Sequence, residues 1–146
     1  MAVDGLPHQV RWSDWSRQGV RGIQMGSDSQ PVLGAAATDR SNIDWGFLHL
    51  AVQLPPQQAK HSATAAAAPA PVDLRAGSAA RSRSAFIASG VLPNVTDGRQ
   101  PRRCSDDLPT LSAAVDLGAV DSAGASHLVL MAYDDVRSVE YFGARV

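Results

Sequence analysis

Residues able to do chemistry are few in this chain and widely spaced. The densest acidic group is Asp134, Asp135 and Glu140, within AYDDVRSVEYFG. A carboxylate pair can divide acid and base roles in hydrolysis, so these three are the catalytic candidates. Asp134 and Asp135 are adjacent at the end of an expected strand, where neighbouring side chains point apart. A simpler reading makes Asp135 the N-cap of a helix over VRSVEYF. His8, His49, His61 and His127 show no paired spacing and fall on separate elements, so no metal site is expected. Cys104, the single cysteine, lies in the polar run RRCSDD. It excludes an internal disulfide and reads as a free surface thiol, because no base can be placed beside it. No GxSxG, P-loop or GxGxxG is present, so no cofactor is expected. Asn94-Val95-Thr96 fits the N-glycosylation acceptor pattern, which recurs often by chance.

Tryptophans offer a second chemistry. Flat aromatic faces can hold sugar rings, and Trp12, Trp15 and Trp45 are available. Strand alternation turns Trp12 and Trp45 toward a core more simply than toward a ligand. Trp15 and Trp45 are the ligand-stacking candidates.

Charge and composition narrow the partners. Thirteen Lys and Arg against fourteen Asp and Glu give a net charge of -1, which argues against a nucleic-acid partner. No apolar run approaches the roughly 18 residues needed to span a bilayer, so no membrane partner is expected. The first residues, MAVDGLPHQV, lack a signal-peptide pattern, which leaves the compartment open. At 5% aromatic residues the core must be light.

The elements that would position these residues are mostly strands. HQVRW at 8–12 alternates, with His8, Val10 and Trp12 on one side. GVRGIQM at 19–25 reads as a second strand, followed by a turn over GSDSQP. The segment 43–54, IDWGFLHLAVQL, changes its apolar phase midway. Either a β-bulge near Gly46–Leu48 or burial on both faces would do this; the bulge is favoured because Asp44, His49 and Gln53 would otherwise need buried partners. Residues 55–77 read as a flexible Ala/Pro-rich excursion. Residues 78–89 read as a short helix with Ser78 as N-cap, Gly90 in the left-handed region beyond its end, and Phe86 and Ile87 as anchors. A polar loop covers 93–107. SAAVDL at 112–117 places Ala113, Val115 and Leu117 on one face, and HLVLMAY at 127–133 reads as a central strand, apolar on both faces. The fold class is mainly β: an antiparallel β-sandwich-like domain with one short helix.

Two ordered blocks carry a family likeness. Gly26, Ser27, Gln30, Pro31, Val32 and Leu33 match a G-S-x-x-Q-P-V-L turn, and Ile43 to Leu48 match an I-D-W-G-Y-L-Y strand. Asp116, Leu117 and Gly118 match a D-L-G strand end. Ala132, Tyr133, Asp134, Asp135, Ser138, Tyr141, Phe142 and Gly143 match a V-x-L-A-Y-D-D-x-x-S-I-x-Y-F-G block. Between them, FIASGVLPNVTDGRQPR is similar to a loop in which a short helix ends in G-x-L-P. The stretch 19–143 thus resembles the N-terminal region of the glutaminase A-like family. Phe47 and His49 depart from it where family strands favour tyrosine.

The resemblance implies an N-terminal β-sandwich-like, non-catalytic region of a hydrolase whose complete form converts L-glutamine to L-glutamate and ammonia. It implies a partner too: a C-terminal helical domain, in cis or separately encoded. On this reading residues 1–146 form one incomplete N-terminal domain, with an organised unit still in progress at Val146, and the chain alone is inactive. A carbohydrate-binding or domain-docking accessory module is the alternative of different class, and a truncated relic without activity the third.

Overall fold

The computed structural model describes residues 9–27, 46–54 and 71–136, and the backbone of 140–141 and 144–145. Trp45, and with it the start of the expected 43–54 strand, lies outside the described residues. So do residues 28–31 of the expected GSDSQP turn and the alanine tract of the excursion.

Strands β1 (Gln9–Arg17) and β2 (Val20–Ser27) form a hairpin in continuous antiparallel register from Arg11↔Gly26 to Arg17↔Val20. β3 (Gly46–Gln53) pairs along the far side of β2. β4 (Val72–Ser78) runs into helix α1 (Ala79–Ser89). Two-residue β5 (Arg102–Arg103), then β6 (Pro109–Val115) and β7 (Val129–Asp134), follow. Glu140–Tyr141 (β8) and Ala144–Arg145 (β9) form a small hairpin. One sheet has the order β5-β1-β2-β3-β7; β4 and β6 form a second. The protein is mainly β, with antiparallel sheets packed face to face and one short helix.

Alternation explains the core. Val10, Trp12, Ile23, Met25, Leu50 and Val52 fall on one face of the large sheet and meet Val72, Leu74, Ala76, Leu111 and Ala113 of the small one. Ile23 has no solvent exposure, and Val52 and Leu74 have 1% each.

Four expectations are corrected by this architecture. The excursion stops earlier than 77: residues 72–77 are strand β4, because Val72, Leu74 and Ala76 alternate into the core. No bulge interrupts β3 between Gly46 and Val52; its registers with β2 and β7 are continuous, and Phe47 and Ala51 are buried on one face while Val52 is buried on the other. Burial on both faces is the cause of the phase change. HLVLMAY is not central: β7 occupies a sheet edge, and all six of its residues are exposed. The helix keeps its cap, its span and its left-handed Gly90 (φ 72°), but not its anchors. Ala79 and Ser82 are its buried residues, while Phe86 and Ile87 project into solvent.

Close strand approach fixes two glycines. A Cβ on Gly26 would strike the Gly46 carbonyl and the Phe47 backbone, and Gly46 itself has φ +100° with the Asp134 and Asp135 backbone above it. Gly46→Ala is therefore expected to cost about 2 kcal/mol or more, from strain plus a backbone clash. Gly98, with open space around it, provides the contrast: Gly98→Ala is expected to stay within about 0.5 kcal/mol. Chemical denaturation of both variants checks this, and equal stability would refute it.

Candidate functional site

The sequence candidates scatter. Asp134 ends β7, is exposed, and its Oδ1 accepts from the Val136 N–H at 2.9 Å. Asp135 is half-buried beside it. Glu140 stands in β8, opposite Arg145. The expected helix over VRSVEYF is replaced, at Glu140 and Tyr141, by this hairpin strand. Aromatic and β-branched residues before Gly143 favour a hairpin over a capped helix, and the Asp134 carboxylate accepts from the Val136 N–H where β7 ends.

Trp15 shares a sheet face with Asp134 but not a site. Its row runs Trp15, Gly22, Ala51, Leu130, whereas that of Asp134 runs Arg11, Gly26, Phe47, Asp134. The two residues lie on strands three apart, roughly 14 Å at ordinary strand spacing. The Trp15 ring lies across Gly22 and meets His49 edge-on, with centroids 6.0 Å apart. Its Nε1 is buried without a hydrogen-bond partner. Trp12 is core, as alternation predicts.

The most highly organised polar cluster lies in the 93–107 loop, which the sequence reading took only as polar connection. Asp97 is its centre. The Asp97 N–H donates to the Ala76 carbonyl at 2.9 Å, and the Trp12 Nε1–H donates to the Asp97 carbonyl at 2.9 Å. The Asp97 carboxylate accepts from Arg99 Nη2 at 2.6 Å and Arg102 Nη1 at 3.0 Å. Arg102, whose side chain is 4% exposed, reaches Asp107 as well at 3.3 Å and donates Nη2 to the Asp106 carbonyl at 2.6 Å. Its Nε is 3.5 Å from the Asp106 carboxylate, without hydrogen-bond geometry. Asp107 in turn accepts from the Ser78 hydroxyl at 2.7 Å, and Ser78 Oγ accepts from the Arg81 N–H at 3.1 Å. Helix cap, loop and sheet edge are thus one network. The signal legible in sequence was the charge pattern DGRQPRRCSDD, whose alternating signs within eleven residues allow internal pairing.

Beside this network an open cavity of about 120 Å³ lies between β4, the first turn of α1 and residues 93–98. Among the described residues no group of three or more His, Cys, Asp or Glu side chains could hold a metal ion. No helix among them is long and apolar enough to cross a membrane.

A family model described as a domain of unknown function, DUF5127, matches residues 1–146. The chain belongs to the DUF5127 family. No curated protein and no solved structure matches it. Membership covers the whole sheet framework and the Asp97 cluster alike.

The cluster sets the acid response of this DUF5127 chain. Hydrogen bonds from Arg99, reinforced by the Arg102 charge, outweigh burial and hold the Asp97 carboxyl well below the usual range. The Ser78 hydroxyl, then Arg102 and Arg99, lower that of Asp107. Depressed folded-state values bind protons less well than the unfolded chain does, so this stability is present above the unfolded carboxylate value of about 3.9 and is lost as pH falls below it. Thermal melts should show stability dropping steeply below about pH 4, with a shallower drop in Asp97→Asn. Arg102→Ala should cost about 3–5 kcal/mol at neutral pH by leaving carboxylates without their buried partner. A loss under 1 kcal/mol would contradict the central place given to Arg102.

Proposed function

We propose that this chain is the N-terminal, non-catalytic part of a glutaminase A-like hydrolase, and that its work is to dock and support a C-terminal helical domain. The paired sequence blocks supply the parent family. The observation that carries the docking role is the overhang of the large sheet. The small sheet packs mainly on β2, with β6 also against β3. Beyond it, on the core-side face, Leu48↔Tyr133, Leu50↔Met131 and Val52↔Val129 continue the apolar rows outward. Val129, Met131 and Tyr133 are 42%, 75% and 55% exposed. A contiguous apolar face of this kind favours a covering partner, since water contact with it is costly.

Catalysis would then belong to the complete protein.

Three results test this reading. Coding sequence after the Val146 codon should encode a helical domain, in this frame or a neighbouring one. The 146-residue chain should release no glutamate from glutamine, and should do so only with that domain. Met131→Asp should weaken association with it at least tenfold while leaving the chain's melting temperature within about 2 °C, because an exposed side chain contributes little to the fold. Absence of any such coding sequence, or association insensitive to Met131→Asp, overturns the proposal.

A further inference from the structure

One motif of the sequence belongs neither to the docking face nor to the Asp97 cluster: the acceptor pattern Asn94-Val95-Thr96. It lies in the loop after α1, between two points fixed to β4. On one side, Arg75 Nε donates to the Pro93 carbonyl at 2.9 Å. On the other, the Asp97 N–H donates to the Ala76 carbonyl at 2.9 Å, and Thr96 Oγ1 accepts from the Ala76 N–H at 3.5 Å. Asn94 stands exposed at the bend between these anchors. Pro93, Val95 and Thr96 line the cavity beside α1, and Asn94 does not. Its amide makes no hydrogen bond among the described residues.

A glycan is bulky and hydrophilic, so a fold accepts one only where the asparagine faces water and has no structural task. Asn94 meets both conditions. Its surroundings supply a second observation. Val95 is 69% exposed and Val91 55%, while Phe86 and Ile87, in the last turns of α1, are 50% and 85% exposed. Apolar side chains gathered over residues 86–95 meet water at a cost. A saccharide anchored among them gives cover. None of these residues belongs to the β7 rows, so the docking reading is not required.

We infer that Asn94 is an N-glycosylation site and that this chain passes through the lumen of a eukaryotic secretory pathway. In the transfer, Asn94 Nδ2 attacks the anomeric carbon of a lipid-pyrophosphate-linked oligosaccharide. A C–N bond forms and the C–O bond to the pyrophosphate breaks. The lipid pyrophosphate leaves with the electron pair, one amide proton passes to solvent, and nothing is oxidised or reduced. The Thr96 hydroxyl, two residues on, is the second recognition element. Folding then fixes Thr96 against β4 and leaves the glycan in solvent.

Mass spectrometry of the protein isolated from its own source tests this. The tryptic peptide over residues 84–99 should carry an N-acetylhexosamine-based oligosaccharide. Removal by a peptide N-glycosidase in heavy-oxygen water should leave a labelled aspartate at position 94. The peptide with the other asparagine, Asn42, is followed by Ile43-Asp44 and lacks the pattern, so it should stay unlabelled. Expressed in the same source, Asn94→Gln and Thr96→Val should abolish the glycan, and Thr96→Ser should retain it. An unmodified Asn94 in the isolated protein would overturn the inference, whatever the variants do. So would a glycan at this peptide that survives Thr96→Val.

Discussion

Asp97 ties the two sheets, the helix and the long loop together, and the rest of the domain depends on it. Its backbone donates to β4 and accepts from the Trp12 indole of β1, while its carboxylate engages Arg102 of β5. Trp12 is 4% exposed and belongs to the shared core, so its indole N–H needs a buried acceptor. The Asp97 carbonyl supplies one, and the Trp12 backbone N–H is met by Gln100 Oε1 at 2.7 Å. A light core gains from this arrangement because hydrogen bonds between distant segments replace part of the packing that bulky residues would give.

The same economy leaves the domain asymmetric. Five strands form one sheet and two form the other, so the core is thick beneath β1 and β2 and thin beneath β7. Edge strands are commonly protected by lysine, proline or bulges. β7 reads VLMAYD and has none of these. Its exposed apolar rows extend the core rather than interrupt it, which puts the proposed docking surface in line with the hydrophobic interior. The polar cavity lies on another part of the domain, at the junction of β4, α1 and the loop.

Local signals were legible where one residue's chemistry decides the backbone. Ser78 and Gly90 announced both ends of α1, since a hydroxyl cap and a left-handed glycine act within a single turn. Alternation announced β1 and β2 and placed Trp12 inside. Burial did not follow from apolar character alone. Phe86 and Ile87 looked like anchors and are exposed, because α1 meets β4 through its first turns. HLVLMAY looked central because it is apolar on both faces, yet strand order puts it at an edge. The run 72–77 was absorbed into an Ala/Pro-rich stretch because its alternation is short and interrupted by Asp73 and Arg75.

What the sequence determined by itself was the mainly β class, the capped helix, the lone thiol and the likeness in two ordered blocks. Each rests on residue type or short-range spacing. Tertiary structure alone decided that DGRQPRRCSDD closes into an ion-pair cluster around the buried Arg102, that Trp15 packs over Gly22, and that β7 takes a sheet edge. Those outcomes depend on which strands become neighbours. Pairing and layer coverage are set by contacts between residues as distant in the chain as Gln9 and Arg103, or Trp12 and Gln100, and no local period encodes them.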